Sequence, residues 1–144
     1  MVRWMDETDL EAVADLERMS FSLPWSRDMI KDGFTKGFDR FLICEQEQEA
    51  AGYICFRYFE EEGEIERIAV HPRFRGMGLG RKLMEAMEEY VKGKGVANLT
   101  LEVRAGNEKA IKLYESCGFV KEALRRGYYR KPVEDAIIMW RRGI

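Results

Sequence analysis

The amino-acid sequence predicts an α/β (α+β) fold of about seven strands and about four helices, in one domain spanning residues 1–144. Three observations carry this. Short apolar or alternating stretches bounded by turn residues recur along the chain, and longer stretches with helical apolar spacing lie between them. A strand-like run ending at Val70 leads into the glycine loop Arg75-Gly76-Met77-Gly78-Leu79-Gly80-Arg81, which opens an amphipathic helix carrying Leu83, Met87, Tyr90 and Val91. No linker, repeat or low-complexity segment divides the chain.

Residues 2–5 form a short first strand. In 9–19, Leu10, Val13, Ala14 and Leu16 share a helical face. The segment 20–26, with Pro24-Trp25, breaks that helix, and Ser26 caps a second one running to about residue 34. Residues 41–45 and 51–59 pair across the polar turn 46–49, and 64–70 is a fourth strand. The glycine-loop helix runs to about residue 92, and 96–103 is a fifth strand. Asn107 caps a helix that stops at Cys117-Gly118, where glycine supplies a left-handed residue. Residues 119–124 and 135–140 are the last strands, around a basic, aromatic loop.

Composition narrows the function. With 24 Lys and Arg against 26 Asp and Glu, the net charge of −2 argues against a general nucleic-acid binder. The chain is 46% apolar and 35% charged, a globular balance. No stretch approaches the roughly 20 apolar residues of a membrane span, and Met1 to Asp6 turns acidic before any secretory signal develops. Cys44, Cys55 and Cys117 share no metal-ligand spacing, and His71 is the single histidine. A cytoplasmic, metal-free protein is expected.

Two strands say more than their type. In the fifth, Leu99, Leu101 and Val103 face one way and Thr100 and Glu102 the other, so Glu102 should line a cleft or find a partner. In the fourth, the alternation slips between Ile65 and Ile68, which predicts a β-bulge. A helix joining the fourth strand to the fifth predicts a parallel pair. A bulge beside a parallel neighbour and a glycine loop suggests a slot for an extended ligand.

The loop is a phosphate cradle: its glycines admit close backbone approach, and a helix start offers unpaired N–H groups. A P-loop would need Gly-Lys-Ser/Thr at the helix start, and Gly80 is followed by Arg81. A dinucleotide fingerprint would need glycine at position 81. What fits is Arg-x-x-Gly-x-Gly at Arg75, Gly78 and Gly80. With the element order, this resembles the pyrophosphate motif of the GNAT (Gcn5-related) N-acetyltransferases. Within them, Leu101 to Asn107, Ala110 to Phe119, Phe21 to Ser26, Tyr128-Tyr129 and Glu134 to Met139 are similar to the RimI-like ribosomal-protein alanine N-acetyltransferases.

The resemblance implies a mixed, mostly antiparallel sheet with helices on both faces, splayed between strands four and five. It implies acetyl-CoA as cosubstrate, its pantetheine arm on the backbone of Ile68, Ala69 and Val70. Its pyrophosphate would lie on Gly76, Met77, Gly78, Leu79, Gly80 and Arg81, with Asn107 also in contact. It implies Glu102 as general base and Tyr114 as general acid. Gly106 departs from the serine of bacterial relatives and should loosen the loop before the last helix.

Acetyl transfer to an amine needs a base for the amine proton, N–H donors for the oxyanion and an acid for the thiolate. Glu102, the Val70 N–H and Tyr114 fit these needs, and Tyr114 follows Asn107 by two helical turns. Plainer readings stand beside them. Glu102 pairs with Arg104 or another cation, Glu66 is an alternative base, Tyr114 is packing, and Asn107 is only a cap.

Acceptor choice is expected in two loops, with Trp25, Tyr128 and Tyr129 lining a peptide groove. The family resemblance favours a protein N-terminal α-amine, including that of a ribosomal protein. A lysine or small-molecule amine, and a catalytically silent acetyl-CoA sensor, are the alternatives. The chain is read as monomer or homodimer, with an exposed final strand, ending Trp140-Arg141-Arg142-Gly143-Ile144, able to pair with a partner without being required to.

Overall fold

The computed structural model describes residues 1–144. Its strands are β1 (Val2–Trp4), β2 (Arg40–Gln46), β3 (Glu49–Phe59), β4 (Glu62–Val70), β5 (Asn98–Arg104), β6 (Val120–Tyr129) and β7 (Glu134–Arg142). Its helices are α1 (Leu10–Ser20), α2 (Arg27–Lys36), α3 (Leu79–Lys92) and α4 (Glu108–Ser116). The helix ends follow local chemistry. Ser26 Oγ accepts from the Met29 N–H at 3.1 Å to start α2, which Gly37 ends in the left-handed conformation. Asn107 Oδ1 accepts from the Ala110 N–H at 3.3 Å to start α4, and Gly118 (φ 93°) supplies the expected left-handed residue after it.

All seven strands join one sheet in the order β1-β2-β3-β4-β5-β7-β6. Every pairing is antiparallel except β4 with β5, which the α3 crossover joins. One face packs α3 and α4 on Ile54, Phe56, Ile65, Leu99, Leu101 and Val103. The other packs α1 and α2 on Phe41, Ile43, Tyr53, Cys55 and Ala69. Helices therefore cover both faces, as the family resemblance implies.

The predicted bulge is present. Cys55 opposes Arg67 but Phe56 opposes Ile65, so Glu66 is the extra residue. The splay follows: β4 pairs with β5 only from Glu62 to Ile65, against Asn98 to Leu101. Beyond the bulge, β4 stays on β3 through Gly52 and Val70, while β5 stays on β7 through Arg104 and Ala136. The two central strands separate into a V.

Two expectations are corrected. The last strand is no free edge, because β7 lies between β5 and β6 and the edge belongs to β6. β7 returns antiparallel along the edge of β5 opposite β4, and β6 adds to the outer edge of β7. The basic, aromatic segment is also mostly strand: β6 runs to Tyr129, which opposes Glu134. Its register shift between Arg125 and Tyr129 surrounds Gly127 (φ 60°), whose N–H donates to Asp135 Oδ1 at 2.8 Å. The polar, glycine-broken composition that reads as loop is a strand bent by a bulge.

Candidate active site

The glycine loop is built from backbone. Gly76 and Gly78 have φ of 79° and 77°, conformations that disfavour a Cβ, and a Cβ on either would project into open space. Gly80 has another reason: its Cβ position lies 3.1 Å from Leu113 Cδ2 on α4, a tight contact that the leucine tip would have to yield. Gly78 caps α3, and the first helical bond runs from the Lys82 N–H to the Gly78 carbonyl. The N–H groups of Leu79, Gly80 and Arg81 are therefore left without helical partners and carry the positive end of the dipole. Leu79 buries its side chain and Met77 exposes its own. The arginines brace rather than point outward. Arg75 Nε donates to the Val70 carbonyl at 3.1 Å, and Arg81 Nη2 to the Ser116 carbonyl at 3.1 Å.

Next to the loop lies an open strand edge. The His71 N–H bonds the Ala51 carbonyl at 2.7 Å, and the β3–β4 register pairs Tyr53 with Ala69 and Cys55 with Arg67. Antiparallel bonding alternates, so Arg67, Ala69 and His71 spend their backbone groups on β3. The Ile68 backbone groups and the Val70 N–H turn towards the gap that β5 has vacated, while Arg75 holds the Val70 carbonyl. An extended ligand entering the V meets a strand edge ready to pair.

Glu102 and Tyr114 lie on opposite faces of the sheet. Leu101 and Val103 belong to the α3–α4 core, so Glu102 projects from the other face of β5. Its Oε2 is buried without a hydrogen-bond partner. Its nearest cation is Arg125, 3.9 Å from Oε1, and not Arg104, which pairs with Glu134 at 3.1 Å. Of the two plain pairings, Arg125 is the other cation: Arg104 shares the face of Glu102, two residues along, but its guanidinium is drawn to Glu134 and to the Arg130 and Pro132 carbonyls of the β6–β7 turn. An orphaned carboxylate oxygen in a cleft is costly unless a ligand or water completes it. Tyr114 stands on the α4 side, with its ring 6.2 Å from that of Phe119. Burial, then the nearby Tyr129 and Cys117, raises its hydroxyl above the ordinary phenol range, which keeps it protonated and a donor.

The face of the cleft that carries Glu102 is built from side chains. Tyr128 is half exposed, and its hydroxyl is raised first by its interaction with Glu102. Tyr129 meets Tyr128 edge-on at 5.1 Å and is pushed up to about 12, first by burial and then by Glu102. Arg104 stacks 4.5 Å from the Tyr129 ring and donates to the Arg130 and Pro132 carbonyls at 2.7 and 2.9 Å. Glu134 accepts from the Gly106 N–H at 2.7 Å, and a Cβ on Gly106 would sit 2.7 Å from that same oxygen. Gly106 thus ties its loop down where the sequence suggested loosening. Trp25 lies across the cleft, its N–H donating to Glu17 Oε1 at 2.7 Å and its ring 4.5 Å from the Arg67 guanidinium. Asn107 spends its carbonyl on the α4 cap, with its NH₂ end outside that bond.

Sequence reasoning missed Glu17, Arg67 and Arg104 as organisers of this site. Glu17 continues the apolar stripe of Leu10, Val13 and Ala14, a buried carboxylate's signature. Glu66 meets a different group: Cys55 Sγ donates to it at 3.3 Å and Arg57 approaches it at 3.0 Å. Burial, then Asp39, pushes its carboxyl up to about 7. Arg57 also binds Asp39 at 2.6 Å, so a cation already joins the two carboxylates.

The match to the Acetyltransferase (GNAT) family covers residues 10–119. The chain belongs to the GNAT acetyltransferases. It is an acyltransferase of that family, and its glycine loop, bulge and V are the GNAT features arranged above. It is 36% identical to the ribosomal protein bS18-alanine N-acetyltransferase of Escherichia coli K12, covering 94% of this chain and 92% of that one. It is 37% identical to the Salmonella typhimurium protein of the same name, at 94% and 92% coverage. The crystal structure of the Escherichia coli ribosomal-protein-S18-alanine N-acetyltransferase superposes with a TM-score of 0.89 at 34% identity, over 97% of this chain and 91% of that chain. Ard1 from Thermoplasma volcanium gives 0.91 at 28%, over 100% and 97%. No helix of this GNAT chain is long and apolar enough to cross a membrane.

Proposed function

We propose that the protein transfers the acetyl group of acetyl-CoA to the N-terminal α-amine of a protein, with a ribosomal protein as the leading acceptor. The observation that carries the reading is the unpartnered Glu102 oxygen beside the open edge of Ile68 and Val70. In this reading the N–H groups of residues 76–81 grip the pyrophosphate, the edge of β4 pairs with the amides of the pantetheine arm, and Asn107 adds a contact. The acceptor enters from the face that carries Glu102, between Trp25 on one side and Tyr128 and Tyr129 on the other.

Glu102 takes the proton of the attacking amine, directly or through one water. An α-amine with a pKa near 8 gives that proton up more readily than a lysine near 10.4. The Val70 N–H faces the developing oxyanion. Tyr114, held protonated on the opposite face, gives its proton to the departing thiolate. Base and acid on opposite faces suit a reaction in which amine and thiol lie on opposite sides of one carbonyl. The names of the similar enzymes support the protein acceptor.

The test is acetyl-CoA with a panel of peptides bearing free N-termini and the same peptides blocked at the α-amine. Acetylation confined to free N-termini is the expected result. Modification of blocked, lysine-containing peptides would replace this reading with a lysine acetyltransferase, and tight acetyl-CoA binding without turnover on any amine would replace it with a sensor.

A further inference from the structure

Arg67 is the first residue of β4 beyond the bulge, and nothing in the chemistry above uses its side chain. It opposes Cys55 and so projects from the face of the sheet where α1 and the acceptor groove lie. Its guanidinium sits 4.1 Å from the Phe21 ring and 4.5 Å from the Trp25 ring. Nη2 donates to the Leu23 carbonyl at 3.3 Å. Nε lies 3.8 Å from Glu17 Oε2, a carboxylate with no exposure at all. Glu17 in turn accepts from the Trp25 N–H and the Tyr53 hydroxyl. One planar cation thus engages three residues of the segment joining α1 to α2, which lysine could not do in the same geometry.

We propose that Arg67 is the positioning residue of the acceptor groove: it locks residues 21–25 onto β4 and so sets the wall that an acceptor meets. Its side chain keeps 20% exposure, and its charge is felt at the Tyr129 hydroxyl on the opposite wall. The backbone of Arg67 is committed to β3, whereas the open edge starts one residue later, at Ile68. Loss of the side chain therefore slackens the acceptor wall and leaves the acetyl-CoA edge in place. A brace that served stability alone would not separate the two substrates in this way.

The kinetic part of the test rests on the N-terminal acetylation reading, and the cleavage part does not. In the first, Arg67→Gln should raise the peptide KM about tenfold, the scale of one lost charge-assisted contact. Its acetyl-CoA Kd and kcat should stay within about twofold, with Arg67→Lys falling between it and the wild type. In the second, limited chymotrypsin digestion should cut after Phe21 and Trp25 about tenfold faster in Arg67→Gln than in wild type. The double variant Glu17→Gln/Arg67→Gln removes both charges, so that no buried carboxylate is left unpaired, and should show the same cleavage and KM changes while folding normally. Cleavage at the wild-type rate in the variants overturns the clamp, as does an acetyl-CoA Kd that rises in step with the peptide KM. Should the wild type acetylate no peptide, the functional reading falls, and the cleavage ratio still upholds or overturns the clamp.

Discussion

On the glycine-loop side of the V, the groups offered to a ligand belong to the backbone: the N–H groups at the start of α3 and the free edge of Ile68 and Val70. On the proposed acceptor side they belong to side chains: Glu102, Tyr128, Tyr129 and Trp25, held by Arg67 and Arg104. A backbone site needs particular residues only where the chain must bend or approach closely, and it tolerates change elsewhere. A side-chain site depends on every partner that fixes a rotamer. The first suits a ligand that never varies, and the second suits an acceptor whose identity is to be chosen.

The largest effect separating the two sides should come from Glu102→Gln, which keeps the shape and removes the base. It should lower kcat by about 10²-fold or more, with acetyl-CoA binding by calorimetry unchanged. Tyr114→Phe keeps the packing on Phe119 and should cost kcat less, about tenfold, because a thiolate with a pKa of about 8.5 leaves tolerably unaided. Gly78→Val should act on the other side alone. A β-branched residue at φ 77° carries strain of about 1–2 kcal/mol, so acetyl-CoA Kd should rise about tenfold at constant peptide KM. A change in peptide KM equal to that in Kd would break the division.

Arg104→Gln frees the β6–β7 turn and should raise peptide KM roughly fivefold, about 1 kcal/mol, with acetyl-CoA Kd unmoved. The smallest effect concerns Glu66, between the two sides. Its folded pKa, about 7, is raised above the ordinary 4.5. Between these values the folded protein holds a proton that the unfolded chain has lost, so stability falls as pH rises through that window. Glu66→Gln cannot titrate. Its melting temperature relative to wild type should climb from pH 4.5 to above pH 7 and then level off, and a pH-independent difference would remove Glu66 as the titrating group.

The same division explains what was legible in the sequence. The glycine loop, the slipped alternation at Ile65–Ile68 and the lone carboxylate on the Leu99–Val103 strand are local patterns, and each was found where the residues indicated it. The cap at Asn107 and the stop at Gly118 are local as well. The acceptor side depends on pairs distant in sequence: Arg67 with Glu17 and Trp25, and Arg104 with Tyr129 and Glu134. No spacing announces such pairs, although an arginine inside the apolar β4 run and a glutamate on the apolar stripe of α1 each asked for a partner. β6 is longer than its residues suggest for a related reason, since a bulge at Gly127 imitates the end of a strand.

The central claim is that acetyl-CoA pairs with the edge of β4 opened by the bulge. Residue-resolved amide exchange with and without CoA tests it most directly. The Ile68 and Val70 amides should exchange freely in the free protein, unlike Ala69 and His71, and become protected together with Leu79, Gly80 and Arg81 when CoA binds. Binding that protects the glycine loop while leaving Ile68 and Val70 unchanged would contradict it.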